Sequence, residues 1–569
     1  MGPTPYRPPD TPPPQPTPVH GLLRAGAALA VGSLSACGGG GEEDPSGAGR
    51  LAAAQFEAMD EARASRLLSQ GGLGATPDEV AAVMADGPQA WFDAQLALPL
   101  GPSMWDWARA RGFDNALYAQ SDYGLDQTLW WRLATAPDVL RQRVVLALSQ
   151  IFVVSPLNMV AYWRQFGCIA WWELLERHCF GNFRELLTHV TLSPAMGVYL
   201  SMRGSAKADG TGRQPDENYA RELLQLFTIG LTALNTDGTP SEPAQDTYDA
   251  TTISELAKVF TGWDVNGFNP FNPTGPFDYW RAPMDFNAPR FDGSDKRVLG
   301  TTISASLSGP EALEAALDVI FAHPNVGPFM ARQLIQRLVT SNPSPAYVSR
   351  VARVFNGEGS GQGVRGDLRA VIKAVLADEE ARPELTPAVP GAPNSLSDGK
   401  LREPVLRLLQ WLRLTRARSA TWNVPDLSGS DYLGQAPLRA PSVFNFYRPG
   451  YVPPNTEVAV QGLVAPEFQI TNESSVMGYL NFMWEVLRTG GLGVVTPDYS
   501  DFLPLADDVP ALVARLNLYL TGQALSVATV STIEQGVQSI LGSGPAERLN
   551  RVLAAIYLIM ASPEYLVQR

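Results

Sequence analysis

The chain has 569 residues, 45% of them hydrophobic, so it can bury large cores, and its formal net charge is −14. That charge argues against nucleic acid, whose phosphates need a basic surface. Four histidines and three cysteines leave little material for histidine- or thiolate-based metal sites, and no cysteine pair has zinc-finger spacing.

At the N-terminus, residues 25–34 form a short apolar run preceded by Arg24 and ended by Leu34-Ser35-Ala36-Cys37, with four glycines following. This is the pattern of a bacterial lipoprotein signal, in which the cysteine is lipidated and becomes the new N-terminus. Residues 1–36 are therefore expected to be a leader, with Cys37 as the lipidation site and residues 37–58 as a flexible tether. Residues 1–17 are proline-rich and unlike a signal's basic start, which puts the expected translation start near Val19. No other segment has the length and purity of a membrane-spanning helix.

Residues 59–385 read as a first helical region. Thr76 is a suitable N-cap, with Pro77 at the first helical position and Glu79 two residues on. Residues 138–154 are apolar on most faces and read as a buried helix. Trp130, Trp131, Trp163, Trp171 and Trp172 read as core. Cys168 and Cys179 lie eleven residues apart in a helical pattern, a rise of roughly 16 Å. Bridged Cα atoms approach within about 7 Å, so two free thiols are expected unless the helix breaks between them.

Residues 215–229 carry the strongest helical signal. Pro215 suits the first position, Asp216 and Glu217 favour the positive end of the dipole, and Gly230 suits a left-handed stop. At 100° per residue, Tyr219, Ala220, Leu223, Leu224, Leu226 and Phe227 share an apolar arc. Glu217 with Arg221 and Asn218 with Glu222 form i,i+4 pairs on the other side. That polar face is either a fixed acid–amide–guanidinium cluster in a cleft or an ordinary solvated face.

Thr252 and Glu255 read as a capping box ahead of a helix stopping at Gly262. Residues 264–299 lose the helical period and are rich in Asn, Pro, Gly and aromatics, which predicts an ordered lid or groove wall. Helical periods resume at 311–321, 326–340, 347–355 and 366–376. A second helical region, 386–569, opens with a Pro/Ala/Ser linker and a basic amphipathic helix at 400–416. A second long loop follows at 419–471, holding Phe444-Asn445-Phe446-Tyr447-Arg448. Helices are expected near 476–488, 509–520, 533–541 and 546–560. The fold class is mainly α: a large multi-helix array with two long, ordered, aromatic-rich loops and little β.

Several of these segments resemble, in order, the motifs of a large bacterial family known as "domain of unknown function 1800". They are Arg66 to Gly74, Leu140 to Arg143, Phe180 to Leu187, Ser193 to Met196 and, above all, Asp216 to Gly230. Further matches are Phe260-Thr261-Gly262-Trp263, Lys296 with Leu299-Gly300, Arg402 to Val405, Pro441 to Tyr447 and Ser562 to Tyr565. Two departures stand out. Many members carry Trp-His-Asn-His before a phenylalanine where this chain has Leu148-Ser149-Gln150-Ile151-Phe152. Many carry His-Asp where it has Phe291-Asp292. The resemblance implies an uncharacterised exported protein, often encoded beside an exported sulfatase- or phosphatase-like family, and hence a partner or chaperone role at the cell envelope.

His178, His189 and His323 are scattered along the chain, and no metal site or cofactor is expected from them. No nucleophile elbow, P-loop or dinucleotide fingerprint appears in a suitable setting. Carboxylates remain. The leading expectation is a lipid-anchored binding or assembly partner of another exported protein, held at the outer membrane through the lipid on Cys37. The alternative is a carboxylate-based hydrolase of a glycan or similar polymer, with Glu222 and Glu217 as its acid and base. Asn218, Arg221, Trp263, Asp264 and Trp280 are the expected binding residues.

Overall fold

The computed structural model describes residues 59–267, 275–358, 363–382, 399–489, 492 and 494–569. The leader, Cys37, the tether up to residue 58, Phe268, Phe271 and the 386–397 linker lie outside the described residues. The described chain is a mainly α array with three small antiparallel two-stranded sheets. Among the described residues no helix is long and apolar enough to cross a membrane.

At the centre lies the Val139–Ser149 helix, every residue of which is buried. Its apolar side chains face neighbours on all sides, so Arg141, Gln142 and Arg143 have no route to water and must find partners inside. Gln142 donates to Glu176 Oε1 (2.7 Å), which also accepts from Arg132 (2.7 Å), while Arg132 reaches Asp138 at 2.9 Å. The Arg164–His178 helix packs along one side of this centre. Trp171 and Trp172 are fully buried on it, and Trp172 Nε1 donates to Gln142. Cys168 and Cys179 are free and buried, as expected; burial pushes each thiol up to about 12.

Thr76 caps the Pro77–Asp86 helix as the sequence indicates, accepting from Glu79 N. The expected Thr252–Glu255 capping box is not formed. Asp249 caps the Ala250–Val259 helix instead, accepting from Thr252 N at 2.7 Å, and Glu255 pairs with Lys258. Asp249 offers a short carboxylate one residue before the helix, which outcompetes a hydroxyl inside it.

The signature segment departs most from its expected form. The α-helix runs only over Asn218–Glu222, and Leu223–Thr228 is π-helical. It begins three residues later than Pro215 suggests; Asp216 Oδ1 accepts from Asn218 N at 2.9 Å in a turn just ahead of it, and Glu217 is the N-cap, with no side-chain cap bond. The wider turn is held by Ile229 N to Leu224 O (3.0 Å) and by the Thr228 hydroxyl to Leu223 O (2.5 Å). Gly230 ends the segment at φ +70, as read from the sequence.

Of the stretch expected to be an ordered lid or groove wall, the described residues 264–267 and 275–299 form a clasp packed against the helices. Trp263–Asp264 pairs with Asp285–Phe286, and Lys296–Val298 pairs with Thr301–Ile303. Phe277 and Trp280 point inward. Phe277 stacks on Trp163 (4.6 Å) beside Phe166 (4.7 Å), and Trp280 lies flat on Gly167, where an added Cβ would sit 2.9 Å from the ring. The helix expected at 400–416 runs over Pro404–Leu414, and Lys400–Leu401 is a strand paired with Val567–Gln568. Its arginines do not form a solvated basic face. Arg407 is buried against the Tyr479 ring (4.7 Å), and Arg402 against Tyr565 (4.7 Å).

Candidate functional site

The predicted polar face divides between two environments. Glu217 and Arg221 pair at 3.2 Å with both side chains nearly half exposed, and Asn218 is exposed beside them. Glu222 is buried, its Oε2 has no hydrogen-bond partner among the described residues, and burial raises its carboxyl pKa against a smaller opposing effect of Arg221. Tyr248 and Tyr199 are near enough to feel its charge, and burial together with that charge lifts each phenol to about 12. Asp264 is bracketed by Arg203 (3.1 Å) and Arg290 (2.7 Å). The Trp263 and Trp280 rings are buried in the clasp, with no face free for a ligand. The chosen residues thus form a solvated pair, a buried acid and a structural clasp rather than one cleft.

A groove of about 350 Å³ opens at the far end of the signature segment. The π turn swings Gln225 and Leu226 into its wall, while Leu223, Leu224 and Phe227 stay buried. Gln333 and Arg337 come from the Val326–Leu338 helix, Gln150 from the end of the central helix, and Phe444 and Arg448 from the second aromatic loop. No acidic, histidine or hydroxyl side chain lines it among the described residues. Arg448 lies over the Phe444 ring at 4.8 Å.

Beneath the groove is a buried charge network. Arg337 donates to Gln333 Oε1 (2.5 Å) and to Gln150 O (3.2 Å), and its Nε has no hydrogen-bond partner among the described residues. Its own carbonyl accepts from Arg143 (2.7 Å) and Lys400 (2.8 Å). Gln150 passes the network on: it donates to Glu403 at 2.5 Å and accepts from the Tyr447 hydroxyl at 3.1 Å. Lys400 sits 2.9 Å from Glu467 and 3.5 Å from Glu403, and Arg143 lies 3.9 Å from Glu403. Burial alone would raise Glu403, but Lys400 and Arg143 outweigh it and hold the carboxyl below its ordinary value. Glu467 goes the other way; burial raises it and Lys400 only partly offsets this. Two cations, Lys400 and Arg143, thus face the ionised Glu403. Burial lowers the Arg337 guanidinium pKa, with only distant tyrosine and glutamate charges opposing it. A buried guanidinium without an adjacent carboxylate is costly unless an anion joins it.

Part of this groove was visible in the sequence. Arg448 and Phe444 belong to the aromatic run of the second loop, and Gln150 and Ile151 to the stretch that departs from the histidine-rich pattern. Gln333 and Arg337 were missed, since on a wheel they are ordinary polar positions of an amphipathic helix. Of the histidines, His323 accepts a hydrogen bond from Asn325 N (3.1 Å), while His178 and His189 are brought together with their rings stacked at 3.8 Å.

The fold and groove define a helical body with a cationic, amide-lined recess and no nucleophile in it. The chain belongs to the family described as protein of unknown function (DUF1800), whose model matches residues 66–567. Comparison with curated proteins and with solved structures returns no match.

Proposed function

We propose that the protein is a lipid-anchored binding or assembly partner at the cell envelope, and that the groove seats an acidic segment of another exported protein. The observation that carries this reading is Arg337: a buried guanidinium facing a recess lined by Gln150, Gln225, Gln333 and Arg448, with no carboxylate among the lining residues. Guanidinium and amide donors suit carboxylates and other oxyanions, and a recess without acid, base or nucleophile suits binding rather than turnover. The partner is of the sulfatase- or phosphatase-like exported class that the family resemblance implies. The lipid on Cys37 places the body at the outer membrane.

Capture from solubilised envelopes tests this. Wild-type protein should retain a stoichiometric exported partner, and Arg448→Glu should lose it while melting at an unchanged temperature. Equal capture by the variant overturns the reading. A second reading rests on Glu222, the signature carboxyl with a raised pKa and an unpartnered oxygen. Those are the properties of a general acid in glycan hydrolysis. Glycan turnover without a protein partner, abolished in Glu222→Gln, would favour it.

A further inference from the structure

The chain carries a second cluster that neither the groove nor the signature segment uses. His178 ends the Arg164–His178 helix, and Glu185 and His189 lie one turn apart on the Phe183–Leu192 helix. The turn between the helices is firmly held. Gly181 N donates to His178 O (3.0 Å), Asn182 accepts from Arg184 N (2.9 Å), and Asn182 also donates to Arg365 O (2.8 Å). The two imidazoles are stacked at 3.8 Å with 24° between their planes, and His189 Nε2 is 3.7 Å from Glu185 Oε1. One donor atom from each of the three residues lies within 4.8 Å of the other two.

We infer that His178, Glu185 and His189 form a divalent transition-metal site, with zinc as the natural occupant. Two imidazoles and one carboxylate are a donor set that zinc takes, at about 2.0–2.2 Å per ligand. Such bonds bring donors closer together than they stand here, and Glu185 and His189, with side chains 62% and 43% exposed, are free to rotate inward. Arg184, the nearest cation on the same helix, does not compete for Glu185, because Glu314 and Asp318 hold it at 2.7 Å each. Three protein ligands on a partly exposed surface leave a fourth position open to water or to an oxyanion. The ion would also pin the end of one helix to the face of the next, just outside the buried core.

Zinc titration of the metal-stripped protein against a chromogenic chelator is the test, with cobalt absorption as a second readout of nitrogen–oxygen coordination. One equivalent per chain is expected, weakened at least about tenfold in both His189→Ala and Glu185→Gln and unchanged in His323→Ala. Glu185 is a surface carboxylate, so its variant keeps the fold even where a histidine change does not. Wild-type protein that takes up no zinc, or a Glu185→Gln variant that binds it as tightly as wild type, overturns the assignment.

Discussion

Glu217 and Glu222 stand five residues apart and live in different media. Glu217 shares solvent with Arg221, and such a pair contributes little in water. Glu222 is buried with one oxygen unpartnered, and its pKa is raised. The folded state therefore keeps this proton to higher pH than the unfolded chain does. The associated stability is fully present below the ordinary glutamate pKa and is lost as pH rises through the folded value. Glu222→Gln should accordingly melt with wild type near pH 4 and above it at pH 8, as thermal unfolding at the two pH values will show. At the same scale, Glu403 holds a network together. Glu403→Ala leaves Arg143 buried without its carboxylate and Lys400 with Glu467 alone, and a loss of about 3–5 kcal/mol in urea unfolding is expected.

At the scale of elements, most helices were legible because apolar period, proline starts and capping residues agree with the fold. The Thr76 cap and the stop at Gly230 are examples. The signature segment was legible in extent but not in winding. A wheel at 100° per residue assumes an i−4 ladder, and nothing in Leu223–Thr228 announces the i−5 bonds that turn Gln225 and Leu226 toward the groove. Inserted π turns often mark functional sites, and here the winding builds one wall of the recess. The clasp was legible as ordered from its aromatic content, but its direction was not, because composition does not say which way a ring points. Gly167→Ala tests that direction. A methyl group there meets Trp280, and overpacking of this kind costs about 1–3 kcal/mol. A lower melting temperature with Trp280 fluorescence shifted toward that of an exposed indole is expected.

Across the whole molecule, the candidate site draws on segments far apart in sequence. Arg337, Gln150, Gln225 and Arg448 belong to four different elements, and no local pattern joins them. The sequence did supply net charge, helical class and family. It could not supply a cationic recess in an acidic chain, because that depends on which cations fold inward. The same long-range dependence gives a further test. Tyr565 is fully buried under Arg402, and Gln568 donates to Leu338 O at 2.9 Å. Removing residues 563–569 deletes a buried aromatic and the strand pairing, and should cost at least about 3 kcal/mol with loss of partner capture.

The pairing of Lys400–Leu401 with Val567–Gln568 also sets an order in time. Lys400 is positioned by a strand that is synthesised long after it, yet its ammonium ties Arg337, Glu403 and Glu467 into the floor of the groove. A nascent chain can assemble its central helices early, but it cannot finish the recess until residue 568 has arrived. On the binding role proposed above, a partner seated there would engage only chains in which this pairing has formed, and the strand would then report that folding is complete.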